Sequence, residues 1–287
     1  MPALSVPKWV RSHLYENRKF NNLSISEIAS IKKRLENCRN VQPDVSIVIP
    51  AWNEEDSIFR TLSSLASTTT NLKVELIVIN NNSRDSTQEI LDKLGVINYF
   101  EPDQGIHYAR QMGLEKARGT YLLCADADTL YPEKWIDLMV APMAQKKDVV
   151  GVHGRYSFIP PGNDGRLGLW FYELLTAGVV RLRQRKRQYL SVYGFNMGLI
   201  TKIGLETGGF KTITNRQYGN MVGSDFVNDS EDGRMARNLL TRGKIELVTH
   251  PQARVFTSSR RLMDDGSIWK AFLNRVKYQL SIAKEFA

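Results

Sequence analysis

From residue 45 to 124 the chain alternates short apolar runs with longer amphipathic ones, and each change is marked by polar residues. Val45, Ile47, Val48 and Ile49 predict a strand stopped by Pro50, and Asn53, Glu54, Glu55 and Asp56 predict a helix start ahead of Ile58, Leu62 and Leu65. A second strand is predicted over 74–79, ended by Asn80, Asn81 and Asn82, with a helix over 84–94. A third is predicted over 96–100, with a helix over 105–118 that carries Arg110. Tyr121, Leu122, Leu123 and Cys124 form a continuous apolar run, the pattern of a strand buried on both faces. Asp126, Asp128, a turn ended by Pro132 and a helix from Glu133 follow. This alternation predicts an α/β chain with a doubly wound, mostly parallel sheet.

Open sheets of this kind bind ligands at the carboxyl ends of their strands. Side chains two apart on an extended segment point the same way, so Asp126 and Asp128 are expected on one side of the fourth strand's end, roughly 7 Å apart. Such a pair repels unless a cation stands nearby. Magnesium or manganese takes one or two carboxylates and fills its shell with phosphate oxygens and water. Taken alone, the two acids also fit a turn and a helix cap. No Gly-x-Gly-x-x-Gly follows the first strand and no Walker loop occurs, which excludes dinucleotide dehydrogenases and P-loop enzymes.

Four segments in order, VSIVIPAWNE (45–54), IVINNNSRDST (77–87), GIHYARQMG (105–113) and ARGTYLLCADAD (117–128), resemble the successive motifs of family-2 glycosyltransferases of the GT-A fold. The resemblance implies a Rossmann-like α/β/α sandwich with a mostly parallel central sheet. It implies a nucleotide-sugar donor bound by Pro50, Ala51, Asn53, Glu54, Asn81, Arg110 and Asp126, and Mg2+ or Mn2+ held on the diphosphate by Asp128 with Asp126. Residues 148–158 read as a strand, and FNMGLITKIGLETGGF (195–210) is similar to the family's strand and short helix ending in Gly-Gly-Phe. Residues 211–230 have little periodicity and read as a lid over the acceptor.

In the family an acid after this stretch, matched here by Asp232, is the general base. The chemistry requires one, because a sugar hydroxyl is a poor nucleophile until its proton leaves. From position alone, Glu231 and Asp232 read equally as acids that complement a helix start. His250, at the end of a later predicted strand, reads as structural or as a further metal ligand. Arg260 and Arg261 read as contacts to a diphosphate or an anionic acceptor, or as surface charges.

Composition narrows the partners. A formal net charge of +9 over 287 residues calls for an anionic one. Zinc-finger spacing, an aromatic RNP-type strand and a long basic arm are all absent, so nucleic acid is not expected. Two cysteines build no disulfide framework, and no apolar run has bilayer-spanning length. The N-terminus lacks a signal-type apolar core, so a cytoplasmic location is expected. The apolar stretch 167–180 runs into RLRQRKR, which suits a peripheral place on the anionic inner face of the cell membrane as well as a core-packing helix. A second amphipathic stretch, 267–287, reads as core-packing.

The expected organisation is a helical extension and linker over 1–43, then one GT-A domain over 44–287, with a nucleotide-sugar half to about 130 and an acceptor half beyond. Ser24 and Glu27 have capping-box spacing ahead of Ile25, Ile28, Ile31 and Leu35, predicting a helix over 24–38 in the extension. The expected activity is metal-dependent, inverting transfer of one hexose to a saccharide or lipid-linked hydroxyl acceptor in cell-envelope glycan or glycolipid synthesis. It is non-processive, since the Gln-x-x-Arg-Trp motif of processive relatives is absent. A uridine donor is favoured, although Asn80 and Asn81 stand where many relatives carry an acid. Two alternatives are a sugar-1-phosphate nucleotidyltransferase, against which stands the missing glycine-rich phosphate loop, and a non-catalytic membrane-associated binding protein. Against the latter stand the intact Asp126, Asp128 and Asp232.

Overall fold

Strand β1 (Val45–Ala51) is buried along almost its whole length and is paired on both sides in parallel, with β2 (Val74–Asn80) and β4 (Tyr121–Cys124). The computed structural model describes residues 4–161, 166–183, 188–211 and 231–260, with backbone alone at 179–183. Around β1 a seven-stranded sheet runs in the order β3-β2-β1-β4-β8-β6-β9, adding β3 (Ile97–Phe100), β6 (Val149–Gly154), β8 (Met197–Ile200) and β9 (Lys244–Val248). Only β8 runs antiparallel to its neighbours. The carboxyl ends of β1, β2, β4, β6 and β9 therefore meet at one edge.

Alternation along the buried strands sorts the core into two layers. Ile47, Ile49, Leu76, Val78 and Leu123 face α3 (Ile58–Leu65), α4 (Thr87–Leu94) and α6 (Trp135–Gln145). Val48, Ile77, Ile79, Leu122 and Cys124 face α5 (Ile106–Lys116) and α9 (Glu231–Leu240). The α/β/α sandwich follows directly from this two-sided burial. Helix α5 lies close on the sheet because Gly113 has no side chain: a Cβ there would stand 2.1 Å from Val48 Cγ1. At the opposite, amino edge the buried Glu75 carboxylate accepts from Ser46 Oγ and from Arg118 N, Nε and Nη2. It is fully satisfied there and has no part in the site.

Several local expectations are corrected. Pro50 does not stop β1 but lies within it, opposite Ile79. Val48 C=O accepts from Ala125 on the β4 side and Ala51 C=O accepts from Asn81 on the β2 side. Backbone groups of alternate residues point the same way, so the N–H that Pro50 lacks would face the β4 side, where pairing has already ended at Val48 opposite Cys124. The predicted strand over 148–158 is two strands. Gly154 ends β6 in the main sheet, while β7 (Tyr156–Ile159) joins a second, three-stranded sheet in the order β5-β10-β7 with β5 (Thr129–Leu130) and β10 (Val255–Ser258). After Pro132 the helix begins at Trp135, not Glu133.

Before β1, α1 (Lys8–His13) brings Val10 against Leu130 and Phe256. Helix α2 (Ile25–Leu35) opens on the full Ser24/Glu27 capping box and buries Ile31 and Leu35 against the first core layer. Ile25, expected on that face, is 88% exposed in the first turn. Helix α7 (Leu167–Arg183) buries Leu169, Tyr172 and Glu173, and the Glu173 carboxylate pairs with buried Arg166 beside Ser157. Helix α8 (Thr201–Glu206) follows β8.

Candidate active site at the carboxyl edge of the sheet

Asp126 continues the alternation of Leu122 and Cys124 and so turns toward α5. There Arg110, 3% exposed, donates from Nη2 to Asp126 Oδ1 at 2.9 Å and from Nη1 to Asp232 Oδ1 at 2.5 Å. One guanidinium thus joins the end of β4 to the first turn of α9. The other Asp232 oxygen accepts from Gly194 N–H at 2.8 Å. Arg110 Nε is buried without a hydrogen-bond partner among the described residues, and the guanidinium lies 6.0 Å from the Phe210 ring centre.

The buried Arg110 guanidinium faces three acids, Asp126, Asp232 and the 2% exposed Glu231. Burial pushes the Asp232 carboxyl up to about 7, helped by Glu231 and Asp126 and opposed by Arg110 and Gly194 N–H. Burial disfavours the Arg110 charge, but Asp232, Asp126 and Glu231 more than offset it and hold the guanidinium protonated. Burial also pushes the Cys124 thiol up to about 12, so it is a small apolar side chain, as expected. Cys38 is likewise buried, its thiol pushed up to about 11.

The turn that offers Gly194 to Asp232 is pinned from several sides. Tyr131 Oη donates to Phe195 C=O and accepts from Asp126 N–H, both at 2.9 Å, tying that turn to the acid. Trp135 Nε1 donates to Asn196 Oδ1, while Asn196 Nδ2 donates to Arg155 and Ala253 carbonyls. Thr61 Oγ1 on α3 holds Ala127 C=O between the two acids. Gly194, Tyr131 and Asn196 were missed in the sequence. Gly194 lies 38 positions from Asp232, Tyr131 only 5 from Asp126, and no spacing rule marks any of the three.

Asp128 and Asp126 take different partners, although both act electrostatically on Tyr131. The strand ends at Cys124, so the period of two lapses, and the turn carries Asp128 toward Glu54 and Arg260. Arg260 Nη2 lies 2.9 Å from both Glu54 oxygens and 3.5 Å from Asp128 Oδ2. Ser258 N–H donates to Asp128 C=O, fixing β10 beside it. Asn53 and Asn82 both adopt positive φ, 52° and 60°. Asn53 Oδ1 accepts from Arg84 N–H and its own N–H donates to Ser83, so the loops after β1 and β2 are laced together beside Pro50 and Ala51. Asn81 is fully buried: its Nδ2 donates to Glu101 and Asp103 carbonyls and its Oδ1 accepts from Gly105 N–H. It braces the loop into α5. His250 is exposed and caps a short 3-10 turn by accepting from Gln252 N–H.

The carboxylates of Glu54, Asp126 and Asp128 keep 12%, 19% and 15% of their side-chain exposure. Among the described residues no cluster of three His, Cys, Asp or Glu is arranged around one point. This donor set fits a hard divalent cation that takes one or two carboxylates and completes its shell from phosphate and water. Arg185, Lys186 and Arg187, the predicted lid from 212 to 230, Arg261 and the predicted helix over 267–287 lie outside the described residues.

Known proteins share this arrangement of strands. The chain is 30% identical over 125 residues to the glycosyltransferase AglE of Haloferax volcanii, covering 40% of this chain and 41% of that one. It is 31% identical over 116 residues to an undecaprenyl-phosphate 4-deoxy-4-formamido-L-arabinose transferase of Pseudomonas fluorescens, covering 37% and 34%. The chain spans less than half the length of these relatives. Two solved structures superpose on it, S. aureus TarS in complex with UDP-GlcNAc and the mannosyltransferase PcManGT of Pyrobaculum calidifontis in complex with GDP-Man and Mn2+. The TM-scores are 0.54 and 0.52, the identities 14% and 15%, with 75% and 94% of this chain covered and 58% and 74% of theirs. The fold is that of GT-A glycosyltransferases. A model of glycosyl transferase family 2 matches residues 46–203, from β1 through β8 into α8, and the chain belongs to that family.

Proposed function

We propose that this chain transfers one sugar from a nucleotide-diphosphate donor to a hydroxyl acceptor, with inversion and without processivity, using Asp232 as base. The observation that carries this reading is the Asp126–Arg110–Asp232 bridge, which links the donor end of the sheet to an acid of raised pKa. The acceptor hydroxyl oxygen attacks the anomeric carbon as its proton passes to Asp232, and the bond from that carbon to the diphosphate oxygen breaks in the same displacement. Each Asp232 oxygen makes one described hydrogen bond and so retains a lone pair for that proton. Arg110 holds Asp232 in place.

Pro50, Ala51, Asn53 and Glu54 line the donor loop in this reading. Asn81, with its amide engaged, acts on the donor through the loop it braces. Mg2+ or Mn2+ held by Asp128, with Asp126 nearby, would supply charge stabilisation to the departing diphosphate. His250 has no role in it. The structural neighbours are complexes with UDP-GlcNAc and with GDP-Man and Mn2+, so uridine and guanosine donors head the panel to try.

Thermal melts with nucleotide sugars and Mn2+ test the donor site. One nucleotide family at a hundred times its Kd stabilises the wild type by about 2.7 kcal/mol, a shift of several degrees, and Asp128→Ala loses it. Absence of stabilisation by any nucleotide sugar with either metal would sink the donor reading.

For the acceptor we propose a lipid-linked or saccharide hydroxyl reached at an anionic membrane surface, as in envelope glycan synthesis. Leu167, Phe171, Leu174 and Leu175 are 39% to 65% exposed at helical spacing on α7. The sequence then continues with Arg181, Arg183, Arg185, Lys186 and Arg187. No helix among the described residues is long and apolar enough to cross a membrane. Wild type is expected to co-sediment with phosphatidylglycerol vesicles but not neutral ones, and a Phe171→Glu, Leu175→Glu double variant to stay in solution. Equal behaviour of the two proteins would remove the surface from consideration.

A further inference from the structure

Arg260 makes its three ion-pair contacts through one nitrogen. Nη2 is shared between both oxygens of Glu54 and the nearer oxygen of Asp128, while the rest of the side chain, 51% exposed, faces solvent. A guanidinium paired at its best with a carboxylate uses two parallel N–H groups, one to each oxygen. Here one nitrogen serves both oxygens, and Nη1 and Nε make no side-chain hydrogen bond or ion pair among the described residues. The backbone beneath is nonetheless fixed. Ser258 N–H holds Asp128 C=O, Arg260 N–H donates to Ser258 Oγ, and Ser259 Oγ donates to Ile159 C=O. The side chain is therefore a cation on a firm base with its chelating face open, set between two acids of the donor loop and the metal-site turn.

We propose that Arg260 is a displaceable resident cation of the donor site. It neutralises Glu54 and Asp128 in the empty chain, competes with a divalent metal for Asp128, and turns its open fork to the diphosphate when a nucleotide arrives. This rests on the donor reading above and adds to it a residue with two opposite effects. A diphosphate offers adjacent anionic oxygens at the spacing a guanidinium fork matches, which two carboxylates held by separate loops do not. Release of Asp128 to the metal and capture of Arg260 by phosphate then occur together, so Asp128 is never left uncompensated, and Glu54 keeps the hydrogen bond from the Ser57 hydroxyl.

The two effects make a signed test. Mn2+ binding to the nucleotide-free protein is followed by electron paramagnetic resonance. UDP and GDP binding at saturating Mn2+ is followed by calorimetry, for wild type, Arg260→Ala, Arg260→Lys and Asp128→Ala. Arg260→Ala is expected to bind Mn2+ alone about 5-fold more tightly, because a neighbouring positive charge is gone. It is expected to bind the nucleotide about 10-fold more weakly, because the fork is gone. Arg260→Lys, which keeps the charge, stays near wild type for Mn2+ but not for nucleotide. A purely structural role would weaken both ligands together, and that result, or no change in either, overturns the proposal. If wild type binds nucleotide with Mn2+ and Asp128→Ala does not, the donor reading stands whatever Arg260 does. If wild type binds neither nucleotide, both fall.

Discussion

Gly194→Ala is expected to reduce transfer about a hundredfold or more and to cost about 3 kcal/mol of stability, although no substrate atom need touch residue 194. A Cβ at this position would stand 1.3 Å from Arg110 Nη1 and 2.0 Å from Cζ. Nothing at that distance can be accommodated by a small adjustment, and Arg110 has no freedom to retreat, being 3% exposed and held at both ends. Either the guanidinium leaves, which strands the half-buried Asp126 and Asp232, or the 194–196 turn lifts off and takes the N–H from Asp232. Both routes leave buried charge uncompensated. The cause can be separated from general misfolding by repeating the change in an Arg110→Met background. There the clash is largely relieved, so urea melts should show a much smaller stability cost for the alanine, while activity stays lost. An equal cost in both backgrounds would mean that the turn, not the bridge, is what the methyl group disturbs.

This dependence on Gly194 explains where sequence reasoning stopped. The strands β1, β2 and β4 were legible because burial on both faces leaves uninterrupted apolar runs, and the acids at their ends were legible because such runs break abruptly. Pro50 misled because the rule that proline ends a strand assumes that both edges are paired at that residue, and one edge had already run out. The division of 148–158 between two sheets was hidden because it is marked only by Gly154 and the exposed Arg155, a break too short to read as a turn. Period two carries Asp126 toward α5, but the strand ends at Cys124, and beyond it the same rule no longer fixes where Asp128 lies. Asp232 entered through a family resemblance; its link to Arg110 spans 122 positions and has no local signature.

Asp232→Asn is expected to lower donor turnover by about 10²- to 10⁴-fold with the fold intact. Asparagine keeps the shape and one carbonyl oxygen, enough to accept from either Arg110 or Gly194, but it cannot take a proton at neutral pH. The environment of the aspartate strengthens the expectation. With a carboxyl near 7, its conjugate base is a stronger proton acceptor than an ordinary carboxylate and is still substantially ionised at neutral pH. The same shift has a cost in stability. Because the folded value lies above the unfolded one, the stabilisation due to the bound proton is full below pH 3.8 and is lost as pH rises through about 7. Burial of this acid among like charges is therefore the expense of a useful base.

The central claim is that Asp232, poised by burial beside Arg110, Glu231 and Asp126, accepts the acceptor's proton. Its most direct test is the pH dependence of kcat/KM for donor turnover in wild type and Asp232→Asn. The wild-type rate is expected to rise about tenfold per pH unit on the acid side and to level off near pH 7, and the variant to show a low rate with that limb absent. A wild-type profile already flat from pH 5 upward, or the same acid limb persisting in Asp232→Asn, would contradict it and assign the base elsewhere.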